Sequence, residues 1–319
     1  MNILNKIANN RKACKSVIYG ISSTFITEEE KMFFSKNGAL GFILFARNID
    51  SPQQLKKLTN QLKELMEGEV LILIDQEGGR VSRMQPPHWF EYPSGSYFAN
   101  LYQNNPTLAM NEIFSNFQKI ADDLIDMGIN VNCAPLLDVA CDITHQVIGD
   151  RALGENPLQI ITLAQKVCEA LLSKNVYPVI KHIPGHGRGM SDSHHELPIV
   201  NASLEELQKI DFAPFVALRQ QKFAMTAHIL YTAIDKVNCA TISRVAIDLI
   251  RNQIGFKNIL MTDDLSMKAL KGSFSERTKM ALQAGCDIIL HCNGNLNEMQ
   301  TINQELPTID DSLKIKLLD

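Results

Sequence analysis

Short apolar runs rich in β-branched residues recur eight times along this chain, at residues 16–21, 41–45, 70–74, 131–133, 177–180, 223–226, 258–261 and 287–290. Between them, apolar residues return every three or four positions, as in amphipathic helices, in segments 52–66, 111–127, 157–173, 204–218, 245–253 and 276–284. Nearly continuous apolar strands that alternate with helices favour a parallel sheet covered on its outside. Eight of them predict an α/β fold, a TIM (β/α)8 barrel, with an open doubly wound sheet as the alternative.

Three of the predicted helices carry start signals. Ser51 precedes Pro52, Asn156 precedes Pro157, and Ser203 precedes two glutamates, which is typical of capped helix N-termini. No Gly/Ser-rich or Pro-rich linker divides the chain, so we predict one domain spanning residues 1–319.

The charge balance restricts the class of partner. Lys and Arg number 31 against 35 Asp and Glu, a formal net charge of -4, so no basic field favours nucleic acid or an anionic membrane surface. Small polar substrates are the better expectation. We expect a cytoplasmic protein, because the N-terminal segment 1–20 lacks an apolar signal-peptide core, no run approaches the roughly 20 apolar residues of a membrane span, and the seven cysteines show no CxxC spacing.

Polar residues follow seven of the predicted strands. Because all strand C-termini of a parallel barrel open on one face, these residues predict a site on that face. They are Arg47, Asp75, Asp138, Lys181 with His182, His228, Asp263 with Asp264, and His291.

The segment after the third strand, DQEGGRVSR, contains a double glycine. Glycines allow a tight turn, so Asp75 and Arg83 can face one pocket, where a carboxylate and a guanidinium would bind neighbouring hydroxyl groups. Glu77 and Arg80 are either an ion pair that braces the loop or further ligand contacts.

Residues 181–196 concentrate the most ionisable chemistry of the chain. Asp192 and His194 are two residues apart, so the carboxylate can orient the imidazole as a general acid/base. Asp263, at the end of an apolar strand, could serve as a nucleophile. Each signal is weak when it is taken alone.

A metal site competes with this interpretation, because the chain contains many potential ligands. Pro184 and Gly185 speak against it, since they forbid the helix in which two histidines four residues apart would converge. We therefore expect no metal and no other cofactor. The potential ligands are His182, His186, Asp192, His194, His195, His228 and His291.

Eight segments in order resemble glycoside hydrolase family 3, and within it the single-domain bacterial β-N-acetylhexosaminidases. They are GFILFARNI, LIDQEGGRVSRM, NVNCAPLLDVA, IGDRALGENP, KHIPGHGRGMSDSHHELP, MTAHILYTAID, ATISR and GFKNILMTDDLSM. The chain departs from the family at Ile183, where Phe is usual, and at GDRAL, where GDRSF is usual.

The resemblance implies a retaining, two-step hydrolysis in which Asp263 is the nucleophile, His194 the acid/base and Asp192 its orienting partner. A histidine then replaces one of the two usual carboxylates, which is chemically reasonable because an imidazole exchanges protons near neutrality. It also implies that the sugar hydroxyls and N-acetyl group are held by Asp75, Arg83, Arg151, Lys181 and His182.

The expected substrate is N-acetylglucosamine (GlcNAc) linked to anhydro-N-acetylmuramic acid, a disaccharide or muropeptide of peptidoglycan recycling. A GlcNAc phosphorylase, a metal-dependent barrel amidohydrolase and a non-catalytic sugar-binding barrel are the alternatives. The oligomeric state, a monomer included, and the role of Trp89 in sugar stacking or in packing are open at the level of sequence.

Overall fold

Eight parallel strands close into a barrel in the computed structural model, which describes residues 3–9 and 14–318. Each strand pairs with its neighbours in the chain, and the last strand pairs with the first. The predicted TIM barrel is confirmed and the open-sheet alternative is wrong. The strands are β1 (Val17–Gly20), β2 (Gly41–Leu44), β3 (Leu71–Ile74), β4 (Val131–Asn132), β5 (Tyr177–Ile183), β6 (Phe223–Thr226), β7 (Ile259–Asp264) and β8 (Ile288–His291).

Helices cover the outside of the barrel. The predicted caps are confirmed: the Ser51, Asn156 and Ser203 side chains accept hydrogen bonds from backbone N–H groups of the first turn. Two predicted helices contain π-helical turns, at Leu207–Asp211 and Ile250–Ile254. The α-helices matching predictions are Pro52–Leu65, Pro106–Asp126, Pro157–Ser173, Leu204–Glu206 with Ala213–Ala217, Arg244–Leu249 and Phe274–Ala284.

Among the described residues, five further α-helices were not predicted, namely Ile3–Ala8, Glu28–Asn37, Gly95–Asn104, Leu296–Asn303 and Asp311–Leu318. The first and the last pack against each other and join the apolar cluster inside the barrel through Leu4 and Leu317. Lys222, which precedes β6, donates to the Lys316 carbonyl, so these helices lie at the end where strands begin. Part of segment 1–20, where no signal peptide is expected, lies outside the described residues.

Strand side chains alternate between two buried regions. Ile18 belongs to the cluster inside the barrel, whereas Val17 and Tyr19 pack outward beneath the helices. This period of two explains why the strands read as continuous apolar runs, since both faces are buried. Within the described part of the chain, no helix is long and apolar enough to cross a membrane.

Candidate active site

A pocket of about 390 Å³ opens where the barrel strands end. All eight site residues expected from the sequence line it, namely Asp75, Arg83, Arg151, Lys181, His182, Asp192, His194 and Asp263. A larger groove of about 690 Å³ lies beside it and is lined by none of them. The smaller pocket is therefore the candidate site, because it gathers the titratable groups.

The loop after β3 is held by buried amides. The Asn132 side chain bonds both the N–H and the carbonyl of Gln76, at 3.1 and 2.9 Å. The Gln76 side-chain oxygen in turn accepts the backbone N–H of Arg83 at 2.9 Å. Gly78 and Gly79 have φ angles of 98° and 57°, as the predicted tight turn requires. The loop thus returns Arg83 to the pocket beside Asp75.

Five charged side chains form a continuous cluster along one wall. Lys181 Nζ lies 2.9 Å from Asp75 Oδ1 and 2.6 Å from Glu77 Oε1. Arg83 Nη2 lies 3.1 Å from Asp75 Oδ2. Arg151 bonds Glu77 through two nitrogens, at 2.8 and 2.9 Å. Three cations and two carboxylates leave this cluster with one net positive charge.

The cluster remains ionised near neutral pH. Burial alone raises the pKa of Asp75 and Glu77, but the neighbouring cations outweigh it and lower the pKa of both, that of Glu77 to about 2. Burial lowers the pKa of Lys181, yet the two carboxylates reverse this and raise it. The charged groups are thus held in place before any ligand arrives, a preorganisation that favours recognition of polar sugar groups.

The suggested ion pair between Glu77 and Arg80 is wrong. Arg80 points away from Glu77 and bonds Asp150 at 2.7 Å, with both side chains almost half exposed. The positive φ angles of the two intervening glycines turn the chain, and Lys181 and Arg151 approach Glu77 from the strand β5 and the segment after β4. Glu77 therefore fixes the two cations of the wall, and sequence proximity misled the prediction.

A second structural centre is Asp138, which is fully buried. Its Oδ1 accepts the backbone N–H groups of His182 and His186, at 3.1 and 2.6 Å, and its Oδ2 lies 2.8 Å from His182 Nδ1. Burial alone raises the pKa of Asp138, but His182 and these hydrogen bonds lower it to about 2. Because Nδ1 is bound, His182 presents its other nitrogen to the pocket.

Residues 182–186 form no helix, as Pro184 and Gly185 predict, yet the rings of His182 and His186 still lie close together. Their ring centroids are 5.5 Å apart without any helix, because Asp138 collects both backbone N–H groups. Burial and the charge of His182 lower the pKa of His186 to about 4, so its ring is neutral at neutral pH. Among residues 3–9 and 14–318, no three His, Cys, Asp or Glu side chains converge in a way that could hold a metal ion.

The loop at residues 186–198 contributes Asp192 and the exposed His194 to the site. His194 Nδ1 lies 2.7 Å from Asp192 Oδ1, which also accepts the His194 backbone N–H at 2.9 Å. The His194 side chain is 62% exposed and Asp192 is 21% exposed. Burial raises the pKa of Asp192, but its bonds to His194 outweigh this and lower it. The pair can exchange a proton with a bound ligand or with water.

Asp263 lies at the end of β7 and lines the same pocket. Its Oδ1 accepts the Asp264 N–H at 2.8 Å. Burial alone raises its pKa, but the rings of His228 and His182 in their protonated forms and the Asp264 N–H outweigh this, so the pKa lies below the ordinary value. An ionised carboxylate in this position can stabilise, or attack, an electrophilic carbon.

Three other polar residues that follow strands, Arg47, His228 and His291, do not line the pocket and contact residues around it. Arg47 donates to the carbonyls of Ile21 and Cys292, and His291 is buried beside Phe274. His228 is buried and bonds the Asp264 carbonyl at 3.0 Å. Trp89 packs against the apolar core and does not line the pocket, so it serves packing in this structure.

Sequence reasoning missed the roles of several groups. Asp138 was only one of seven polar strand ends, and His186 was considered only as a metal ligand. The signal that could have found them is the density of polar residues at the strand ends in NVNCAPLLD and KHIPGHG, but neither stretch reveals which partner each residue meets. Their partners are 44 and 48 residues away in the chain.

Known protein families and relatives are similar to this chain in sequence. The model of the glycosyl hydrolase family 3 N-terminal domain matches residues 16–315. Beta-hexosaminidases from Nitrosomonas eutropha and Alkalilimnicola ehrlichii are 35% and 32% identical, over 86% and 95% of this chain and 79% and 87% of theirs.

Solved structures are similar as well. NagZ from Neisseria gonorrhoeae, in complex with N-trifluoroacetyl-D-glucosamine, superposes with a TM-score of 0.89 at 30% identity, covering 96% of this chain and 89% of that one. A family 3 β-N-acetylglucosaminidase from Paenibacillus has a TM-score of 0.86 at 26% identity, covering 100% of this chain and 61% of that one. The chain thus belongs to glycosyl hydrolase family 3 and is a glycoside hydrolase of the β-hexosaminidase kind.

Proposed function

We propose that this enzyme is a retaining β-N-acetylhexosaminidase that removes terminal β-linked GlcNAc from GlcNAc-anhydro-N-acetylmuramic acid, with or without its peptide, in peptidoglycan recycling. The observation that carries the proposal is the meeting of a partly buried, ionised Asp263 and the more exposed Asp192–His194 pair in one pocket. A fixed anion and a separate proton carrier are the two functions that the two-step reaction needs. The proposed place of action is the cytoplasm, a reducing compartment that suits seven cysteines without CxxC spacing.

In the first step, Asp263 attacks the anomeric carbon while His194 gives its Nε2 proton to the leaving oxygen. The sugar is then covalently bound to Asp263, and the imidazole is neutral. In the second step, His194 takes a proton from water, which displaces Asp263 and releases GlcNAc with the original anomeric configuration. Asp192 accepts a hydrogen bond from the Nδ1–H of His194 throughout, stays ionised, and stabilises the charged form of the imidazole.

The charged wall is proposed to bind the sugar. Asp75, Arg83, Arg151, Lys181 and His182 line the pocket, and the first four are already paired, so their positions change little when hydroxyl groups arrive. His182 presents the nitrogen that Asp138 leaves free. These residues contact the GlcNAc unit, so the proposal for the aglycone rests on the family resemblance.

The decisive experiment is hydrolysis of synthetic GlcNAc-anhydro-N-acetylmuramic acid and of p-nitrophenyl β-GlcNAc by the purified enzyme, with proton NMR of the first-formed anomer. We expect release of β-GlcNAc that persists in EDTA, and no activity in Asp263→Ala. A rapid acid quench should show one GlcNAc unit covalently attached to the wild-type protein, which also separates attack by Asp263 from attack by the substrate's own acetamido group.

A parallel reaction with inorganic phosphate tests the rival acceptor. GlcNAc-1-phosphate as the main product would replace hydrolysis with phosphorolysis. Loss of activity in EDTA, restored by a divalent cation, would favour a metal-dependent enzyme. Full activity of Asp263→Ala would overturn the assignment of the nucleophile.

A further inference from the structure

Three buried side chains connect the two ends of the Asp263–Asp264 dipeptide. Thr226, His228 and Thr241 are each 0% exposed. The Asp263 N–H lies 3.3 Å from Thr226 Oγ1, which lies 2.8 Å from Thr241 Oγ1. Thr241 Oγ1 lies 2.7 Å from His228 Nδ1, and His228 Nε2 lies 3.0 Å from the Asp264 carbonyl oxygen. These contacts form a closed ring through the backbone at the end of β7.

The directions of the hydrogen bonds follow from the chemistry of their ends. A carbonyl oxygen can only accept, so His228 Nε2 must carry its hydrogen toward Asp264. Burial is the largest influence on the pKa of His228 and lowers it, so the ring is neutral and Nδ1 is an acceptor. The Thr241 hydroxyl must then donate to Nδ1.

The rest of the ring is determined in the same way. The Thr241 hydroxyl has one hydrogen and donates it to His228, so it can only accept from Thr226. The Thr226 hydroxyl therefore donates to Thr241, and its oxygen accepts the Asp263 N–H. The Thr241 hydroxyl has a second acceptor in reach, the Ala227 carbonyl at 3.1 Å. That bond is longer, and making it would leave the Nδ1 lone pair unpaired in a dry interior, which costs free energy.

We propose that His228, Thr241 and Thr226 are positioning residues that hold Asp263 for attack on the anomeric carbon. The ring fixes the N–H before the carboxylate and the carbonyl after it, and the Asp264 N–H fixes Asp263 Oδ1. Oδ2 is thereby assigned to the sugar. The inference rests on the proposed role of Asp263 as nucleophile, since none of the three side chains lines the pocket.

The first test is the tautomer of His228 in the wild-type enzyme. Long-range ¹H–¹⁵N NMR with ¹⁵N-histidine resolves the two ring nitrogens, and the signal is assigned by its loss in His228→Gln. We expect hydrogen on Nε2 and none on Nδ1 at neutral pH. Hydrogen on Nδ1 and none on Nε2 would reverse the bond between His228 and Thr241 and abolish the bond to the Asp264 carbonyl, so the ring would be open and the proposal overturned, whatever the activity of the enzyme.

The second test compares Thr241→Val with Thr241→Ser. The valine removes the hydroxyl at nearly constant shape, and we expect kcat for GlcNAc release to fall about tenfold while KM stays within about twofold, the size of one lost buried hydrogen bond acting on the transition state. The serine keeps the hydroxyl and should retain kcat within about threefold of wild type.

Thr59→Val is the matched control, because Thr59 is also 0% exposed and its hydroxyl contacts the backbone carbonyls of Lys56 and Met127, which do not line the pocket. It should lower the melting temperature and leave kcat unchanged. Wild-type kcat in Thr241→Val, or equal losses in the valine and serine variants, would overturn the positioning role. If Asp263→Ala stays active while the His228 tautomer is as expected, Asp263 is not the nucleophile. The hydrogen-bonded ring would then be present as described, and only the proposed function would have failed.

Discussion

Two histidine–aspartate pairs with almost the same local geometry lie at this barrel mouth in opposite environments. His182 Nδ1 is 2.8 Å from Asp138, and His194 Nδ1 is 2.7 Å from Asp192. The first pair is 10% and 0% exposed, whereas the second is 62% and 21% exposed. Distance alone therefore does not distinguish a ring held for binding from a ring that carries protons.

The difference lies in what else each carboxylate holds. Asp138 receives three donors from two residues of the rim, so it organises the backbone of the pocket as well as one imidazole. Asp192 receives its two bonds from His194 itself. The buried pair belongs to the scaffold, and the exposed pair can meet a leaving group and solvent.

The largest expected effect separates the two histidines. His194→Ala should lower kcat for GlcNAc-anhydro-N-acetylmuramic acid by about 10³-fold, because a poor leaving oxygen needs a proton from the enzyme. The loss with p-nitrophenyl β-GlcNAc should be clearly smaller, since p-nitrophenolate leaves without protonation. His182→Ala should instead lower kcat/KM for both substrates by a similar factor, mainly by raising KM. Equal losses for both leaving groups in His194→Ala would contradict the division of roles.

The two aspartates should differ next in stability. Asp138→Ala leaves three buried donors without an acceptor, so we expect the free energy of unfolding to fall by about 3 kcal/mol or more. Asp192→Ala removes an exposed pair and should cost less than about 1 kcal/mol. Urea unfolding monitored by circular dichroism measures both changes. A similar loss of unfolding free energy in the two variants would show that the two pairs contribute equally to stability despite their different burial.

The last prediction is a pH dependence of stability at His186, whose backbone N–H donates to the buried Asp138. His186, anchored by Asp138, has its pKa lowered to about 4, whereas an unfolded histidine titrates near 6.5. The unfolded chain binds the extra proton between these values, so stability is present above about pH 6.5 and is lost as pH falls toward 4. From pH 7 to pH 5 this histidine should remove about 2 kcal/mol.

The check is a series of urea unfolding curves between pH 7 and pH 5 for wild type and His186→Gln. The free energy of unfolding of the variant should change less between pH 7 and pH 5 than that of wild type, by about 2 kcal/mol, because glutamine cannot take up a proton on unfolding. Parallel curves for the two proteins would mean that His186 is not held neutral by the fold.

Much of the architecture was readable from the chain. All eight strands fall within a few residues of their predicted positions, and the three capped helices begin where Ser51, Asn156 and Ser203 indicate. Helices Glu28–Asn37 and Leu296–Asn303 were missed because their few apolar residues give a weak period, although Thr27 and Asn295 cap them. These helices are stabilised by packing of a narrow apolar face against the rest of the protein, which a weak apolar period in the sequence does not reveal.

The sequence by itself determined the barrel and the residues at its mouth, because strand periodicity and chain order are local properties and parallel closure brings every strand end to one rim. Only the tertiary structure decided the partners: Glu77 with Lys181 and Arg151, Asp138 with His182 and His186. Those choices depend on which side chains neighbouring strands and loops bring within about 3 Å, and on how far water is excluded there. Burial, a property of the whole fold, likewise decided which histidine–aspartate pair is scaffold and which is exposed to the substrate.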